Sequence, residues 1–276
     1  MDNSGFIDSF YFFQEQLISV TAINPIESIE LSGYEVIKLV SGKPLFYEDH
    51  LYRLNQTLLL SGFGNYSVSA ESFSQKVNLL CDANNKYFGN LEVRVSKTVS
   101  GLILFFLGFI PHKYPNPTDY LNGIPTEILF IERDNPNAKI KSTEARKKSD
   151  LLIKETSVGE ILLVNHLGLL TEGSRSNLFL IKNKTIYTAS DSEVLKGITR
   201  KYIIEIIRKL GINLVNTGVE VNHLHEIEAA FICGTSPGVL PIQRIREHIL
   251  NPHHPIIKQV IFEFNQVVQD YLSSHT

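Results

Sequence analysis

Two periods of apolar and polar alternation run along this chain, and each change of period marks an element. Phe10 to Thr21 alternates loosely, as one strand would, and Tyr34-Glu35-Val36-Ile37-Lys38-Leu39-Val40 alternates well. Ser41-Gly42-Lys43 makes a turn before Leu45-Phe46-Tyr47. From Asp49 to Leu60 the apolar residues Leu51, Leu54 and Leu58 recur at helical spacing, with Asp49 as the expected N-cap. Ala70 to Cys81 reads as a second amphipathic helix, and Leu91 to Ser96 with Leu102 to Ile110 as a hairpin around Val99-Ser100-Gly101. Pro111, Pro115 and Pro117 then crowd a short stretch. They predict a small domain over 1–112, a linker over 113–120 and a larger domain over 121–276.

Glu127 to Glu132 reads as a strand, Glu144 to Thr156 as a polar helix and Glu160 to Val164 as a short buried strand. After a turn at His166-Leu167-Gly168, Leu178 to Ile181 and Thr185 to Thr188 pair around Lys182-Asn183-Lys184. Thr199 to Leu210 is a helix with Ile203, Ile206, Ile207 and Leu210 on one face and Gly211 as its C′ residue. Leu214 to Val221 and Ala229 to Cys233 read as strands, and Pro255 to Leu272 as a closing helix. Interleaved strands and helices predict an α+β or α/β protein.

Composition narrows the function. With 276 residues, 43% hydrophobic and 20% charged, the chain can bury an ordinary core. A net charge of -3 gives no electrostatic reason to expect nucleic acid or an anionic membrane. Cys81 and Cys233 are too few for a disulfide framework, and Asp2 and Asp8 argue against a signal peptide, so the expected setting is cytoplasmic. Leu102 to Pro111 is too short to span a membrane, and His253-His254 has no third ligand nearby and reads as a solvated loop.

Two stretches carry chemistry. Thr171-Glu172-Gly173-Ser174-Arg175-Ser176-Asn177-Leu178-Phe179 sets one carboxylate in a tight polar turn before an apolar strand. Gly197-Ile198-Thr199-Arg200 opens a helix. Backbone N–H groups at a helix start are unpaired and favour an anion, and glycine lets the backbone come close to it. An acid and a phosphate cradle are two of the four needs of a pyridoxal phosphate site. The others are a lysine amine and a group for the substrate carboxylate. Read singly, Glu172 is a solvated turn carboxylate and Thr199 an ordinary first-turn residue.

Together with Leu195-Lys196-Gly197-Ile198-Thr199-Arg200, Gly234-Thr235-Ser236-Pro237-Gly238-Val239-Leu240-Pro241-Ile242 and His50-Leu51-Tyr52-Arg53-Leu54, these motifs resemble the class IV aminotransferases, the fold-type IV pyridoxal phosphate enzymes. That group includes branched-chain aminotransferase, D-amino acid aminotransferase and 4-amino-4-deoxychorismate lyase. The resemblance spans residues 34 to 242. It implies a two-domain fold with the cofactor in the interdomain cleft, and a homodimer. It also implies a ping-pong exchange of an amino group between an amino acid and a 2-oxo acid. Glu172 then faces the pyridine nitrogen. Gly197, Ile198 and Thr199 hold the phosphate, with Thr235 and Arg53 adding a hydroxyl and a cation. His50 reads as helix packing, and Arg53 has no obvious partner on its helix.

The Schiff-base lysine lies in Asn135-Pro136-Asn137-Ala138-Lys139-Ile140-Lys141-Ser142. In the resembled family it precedes the acid by slightly more than thirty positions, which favours Lys139 without a gap. Lys141 is the alternative, since Lys141-Ser142 resembles the lyase branch; both could also be surface lysines. The tyrosine that one branch places five residues after the lysine is replaced here by Glu144. Its part falls to Arg146, to a residue from elsewhere, or to none. For the substrate, the resemblance points to Tyr34, Arg94 and Lys97, of which Arg94 and Lys97 also read as the polar face of a half-exposed strand. Arg175, unusual within its turn, is expected to bind a substrate carboxylate. The lyase and a non-catalytic binding module that keeps the fold are the rival readings.

Overall fold

Ile29–Val40, twelve residues of which the last eight alternate in burial, is the longest strand among the described residues and the base on which its neighbourhood is built. The computed structural model describes residues 5–22, 27–132, 136–140 and 144–275. The chain falls into two units: Met1–Lys113 with Ala138–Lys141 and Asp270–Thr276, and Tyr114–Asn137 with Ser142–Gln269. The short segments 138–141 and 270–276, expected with the second half, join the first. Tyr34 N–H donates to Lys139 O at 3.2 Å, and Tyr271 Oη–H to Glu48 at 2.6 Å.

The first unit contains β1 (Phe10–Phe13), β2 (Gln16–Ser19), β3 (Ile29–Val40), β4 (Lys43–Pro44), α1 (Tyr47–Leu60), α2 (Ala70–Asn84), β5 (Gly89–Thr98) and β6 (Ile103–Ile110). Its sheet runs β2-β1-β6-β5-β3-β4, antiparallel throughout. Ile37, Leu39, Leu91, Val93, Val95, Phe105, Leu107 and Phe109 form one core with Leu51, Leu54 and Leu58 of α1 and Phe73, Val77 and Leu80 of α2. Strand parity sends the intervening residues, Tyr34, Lys38, Glu92, Arg94 and Ser96, to the opposite face.

Two expectations change here. Phe10 to Thr21 is a hairpin, not one strand: Gln14 takes φ 53° and turns the chain between β1 and β2 without the glycine or asparagine that usually signals such a turn. Helix α1 starts before Asp49, with Phe46 at the N-cap in the left-handed region. Tertiary packing decides that start, because the buried Phe46 ring meets Tyr271 edge-on at 4.8 Å.

The second unit contains α3 (Pro117–Asn122), β7 (Ile124–Phe130), α4 (Glu144–Thr156), β8 (Glu160–Val164), β9 (Leu169–Gly173), β10 (Asn177–Lys182), β11 (Thr185–Tyr187), α5 (Ile198–Lys209), β12 (Leu214–Val215), β13 (Val219–Glu220), a 3-10 turn (Val221–Glu226), β14 (Ala229–Gly234), β15 (Gly238–Ile245), β16 (His248–Ile249) and the start of α6 (Pro255–Ser274). Its sheet runs β12-β11-β10-β14-β15-β7-β8-β9-β13. An extra pairing of Asn177 with Glu172 joins β10 to β9 and closes β7, β8, β9, β10, β14 and β15 into a ring. Leu162, Leu170, Leu178, Leu180, Ile232, Leu240 and Ile242 from those strands share one buried cluster.

Residues 113–120, expected as a linker, include the first turn of α3, which packs on β15 and ties Tyr120 Oη–H to Pro237 O at 2.8 Å. The expected strand Leu214 to Val221 breaks into β12 and β13, which pair with β11 and β9 respectively. Gly218 between them runs so close to β9 that a Cβ there would sit 2.4 Å from Leu170 O. No helix among the described residues is long and apolar enough to cross a membrane.

Leu54 is fully buried between β3 and α2. Leu54→Ala should cost about 2–5 kcal/mol of stability, read as a lower urea midpoint by circular dichroism.

Candidate active site

Glu172 lies near the end of β9 and not in a turn; the turn is Gly173 to Ser176, which follows it. The glycine-and-serine composition hid the strand. Glu172 is 2% exposed and accepts hydrogen bonds from Asn177 Nδ2 at 3.3 Å and Leu195 N at 3.1 Å. Asn177 Nδ2 also donates to Leu195 O at 2.9 Å. Its backbone is paired with Glu172 on one side and Cys233 on the other. One residue therefore draws together the three stretches that the sequence singled out in this half: the Glu172 strand, the Leu195–Gly197 loop and the end of β14 before Thr235.

The turn after Glu172 is built on a second buried carboxylate, Glu160. Ser174 Oγ and Ser176 Oγ donate to it at 2.7 and 2.8 Å, and the backbone N–H groups of Arg175 and Ile161 at 3.3 and 2.9 Å. A Cβ on Gly173 would sit 2.1 Å from Ser176 Oγ, so any other residue there would displace that hydroxyl from Glu160. Sequence reasoning took Glu160 for part of an ordinary buried strand; an acid within a run of apolar strand residues was the available signal.

Gly197 caps α5 without a side-chain hydrogen bond, and Ile198 and Thr199 follow it, both buried. Their amides have no protein acceptor among the described residues. Arg200 adds a buried guanidinium in the same turn of helix, bound to Asp191 at 2.6 Å and Ala189 O at 2.9 Å, while its Nε has no partner. Open amides, the helix dipole and a buried cation fit an anion such as a phosphate. Thr235 is half-buried in the loop between β14 and β15. The Cys233 thiol beside it is pushed up to about 12 by burial, which leaves it inert as a nucleophile.

Arg175 is half-exposed and pairs with Asp150 of α4, which Arg146 also approaches at 3.4 Å. Arg146 Nη1 donates to Ser174 O at 3.2 Å. Arg175 thus meets a carboxylate of this chain, and both arginines tie the turn to α4.

In the first unit, Tyr34 and Arg94 lie opposite each other across β3 and β5, on one face. Arg94 is buried, bound to Glu92 at 3.0 Å and stacked over Phe106 at 4.5 Å. Lys97, three residues further along β5, falls on the opposite face by strand parity and reaches Gly62 O at 3.4 Å. Tyr34 and Arg94 therefore share one face of the β3–β5 pair, and Lys97 sits on the other.

Arg53 does have a partner, on another element. Its Nε and Nη2 grip both oxygens of Glu35 at 2.6 and 2.7 Å. His50 Nδ1 reaches the same carboxylate at 2.8 Å, and Lys139 Nζ at 3.3 Å. Helix packing is therefore only part of what His50 does. Glu35, absent from the expected site, is completely buried. Burial pushes its carboxyl up, but Arg53 and then Lys139, with the hydrogen bonds from His50 and Arg53, outweigh that and hold it well below the usual carboxylate range. Lys139 also lies 5.4 Å from the Tyr34 ring centre. Lys141, the alternative amine, lies outside the described residues.

Two outcomes follow. A Cβ on Gly197 would stand 2.0 Å from Asn177 Oδ1. Gly197→Ala should cost about 1–3 kcal/mol in urea unfolding, and Asn177→Ala should relieve part of that cost, so that the two changes are non-additive in a double-mutant cycle. For Glu35, the folded value is depressed below the ordinary 4.5. Its stability contribution is complete above that ordinary value and is lost as pH falls through the depressed one. Measured between pH 7 and 3, the unfolding free energy of Glu35→Gln should fall less steeply than that of the wild type.

The profile of the family described as amino-transferase class IV matches residues 32–245. A probable branched-chain-amino-acid aminotransferase of Thermotoga maritima is 27% identical over 234 residues, covering 83% of this chain and 82% of that one. The aminodeoxychorismate lyase of Bacillus subtilis is 25% identical over 231 residues, covering 78% and 77%. In fold, a crystal structure of a putative branched-chain amino acid aminotransferase from Thermotoga maritima matches with a TM-score of 0.80 at 24% identity, covering 94% of this chain and 96% of that one. With a match over 32–245, the chain belongs to the class IV aminotransferase family.

Proposed function

We propose that this chain is a pyridoxal phosphate-dependent aminotransferase that moves an amino group between an amino acid and a 2-oxo acid in two half-reactions, with ping-pong kinetics. The observation that carries the reading is the Asn177 junction: one amide fixes the buried Glu172 and the loop that leads into the open amides of α5. When bound, pyridoxal phosphate supplies an electron sink for the bonds at the substrate Cα.

The chain's own residues do the rest. Glu172 presents a negative charge, fixed in part by Asn177 and the Leu195 amide, to keep a ring nitrogen protonated. Gly197, Ile198 and Thr199 bind the phosphate through backbone and helix dipole, with the Thr235 hydroxyl as a further donor. Lys139 provides the amine and shuttles the proton at Cα. Arg53 acts through Glu35 in this reading, and Tyr34 with Arg94 forms the face offered to the substrate. The resemblance also supports a homodimer, and two cysteines without a disulfide fit a cytoplasmic setting. The kinship with an aminodeoxychorismate lyase keeps elimination of pyruvate as the second reading.

Purified protein titrated with pyridoxal phosphate should take it up with a visible absorbance band. Borohydride should fix the cofactor on Lys139, an adduct lost in Lys139→Ala and kept in Lys141→Ala. The reverse pattern moves the amine to Lys141, and no uptake at all removes the enzyme reading. A panel of L- and D-amino donors with a 2-oxo acid acceptor should give oxo-acid product. Pyruvate from aminodeoxychorismate without an acceptor would establish the lyase instead.

A further inference from the structure

Glu35, His50, Arg53 and Lys139 come from three stretches of the first unit, β3, α1 and the segment 138–140, and meet on one buried carboxylate. Oε1 accepts from Arg53 Nε at 2.6 Å. Oε2 accepts from Arg53 Nη2 at 2.7 Å, His50 Nδ1 at 2.8 Å and Lys139 Nζ at 3.3 Å. An ionised carboxylate can only accept, so His50 must carry its hydrogen on Nδ1. Burial above all holds the His50 imidazole below its ordinary value, although the Glu35 contact pulls the other way, so the ring is neutral at pH 7. One anion therefore faces two cations and a neutral donor.

The main chain of Lys139 is fixed apart from this cluster. Its N–H donates to Thr57 Oγ1 at 3.3 Å and its carbonyl accepts from Tyr34 N–H at 3.2 Å. Ile140 bridges to Gly33 on β3, where an added Cβ would sit 3.1 Å from Leu58. With the backbone pinned on both sides, the amine moves only by side-chain rotation. Its contact is also the longest of the four to Glu35. The fork of Arg53 is bidentate and rigid, whereas a lysine ammonium is a point charge on a flexible stem. Of the two cations, Lys139 holds Glu35 by the single longer contact and Arg53 by the bidentate one.

We propose that Glu35 is the positioning residue of the Lys139 amine: its carboxylate holds Nζ at a fixed point as an ammonium, and so sets the pH at which that amine becomes a nucleophile. Arg53 tempers the hold by sharing the same two oxygens, which keeps Lys139 releasable. The proposal rests on Lys139 as the reactive amine.

The test uses the full chain stripped of cofactor. The rate at which an amine-directed reagent modifies Lys139 is followed from pH 6 to 11 by peptide mass mapping. In Glu35→Gln the midpoint should move down by about one pH unit or more, which is about a tenfold faster modification at pH values below both midpoints. Glu35→Asp, which keeps the charge on a shorter stem, should lie between. If Gln alone leaves buried Arg53 unable to fold, Glu35→Gln/Arg53→Met removes both charges, and its midpoint should still lie below that of the wild type. An unchanged or raised midpoint in a folded variant, with only a lower melting temperature, reduces Glu35 to a structural ion pair and overturns the proposal. No transamination is needed for this readout. Failure to bind pyridoxal phosphate would therefore defeat the proposed function while leaving the Glu35 test intact.

Discussion

A carboxylate taken out of water must be satisfied by the protein, and three of them, Glu35, Glu160 and Glu172, organise what surrounds them. Leaving such a charge unpartnered costs several kcal/mol, so the partners are structural requirements. Glu160 collects two serine hydroxyls and two backbone N–H groups, and the tight turn after Glu172 takes its shape from them. Glu172 draws on Asn177 and the Leu195 amide, which brings the loop before α5 to the end of β9. Glu35 draws on α1 and on the segment that carries Lys139. In each case the charge adds a polar tie between pieces of chain that strand pairing or packing also brings together.

The sequence made the regular elements legible where local pattern and tertiary packing agree. The polar helix Glu144 to Thr156 has the expected ends, and the helix that opens at Gly197 differs by a residue. Local pattern misled where packing ruled. Phe46 starts α1 because its ring is wedged against Tyr271, more than two hundred residues away, and Gln14 turns a strand into a hairpin with none of the usual turn residues. The expected strand Leu214 to Val221 splits because its two ends pair with different strands, β11 and β9. None of these causes lies within the window that a periodicity argument sees.

The candidate site was legible in a similar way. The motifs singled out Glu172, Gly197 and the two lysines as candidates, because each sits in a recognisable local run. Their partners were not legible, since a partner is defined by contact across the chain: Lys139 lies 104 positions from Glu35, and Leu195 lies 23 from Glu172. Strand parity was legible as well: residues three apart on a strand face opposite ways, which sets Arg94 and Lys97 on opposite faces of β5.

Glu35 is surrounded by cations, so its charge is largely spent inside its own cluster, and a carboxylate held in that way is suited to governing an amine already bound to it. Glu172 takes part of its support from an amide side chain and a backbone N–H, donors that fix the acid in place by geometry. The cost of using Asn177 for this appears at Gly197, where a Cβ would stand 2.0 Å from Asn177 Oδ1, so the residue that holds the acid also dictates a glycine at the start of α5.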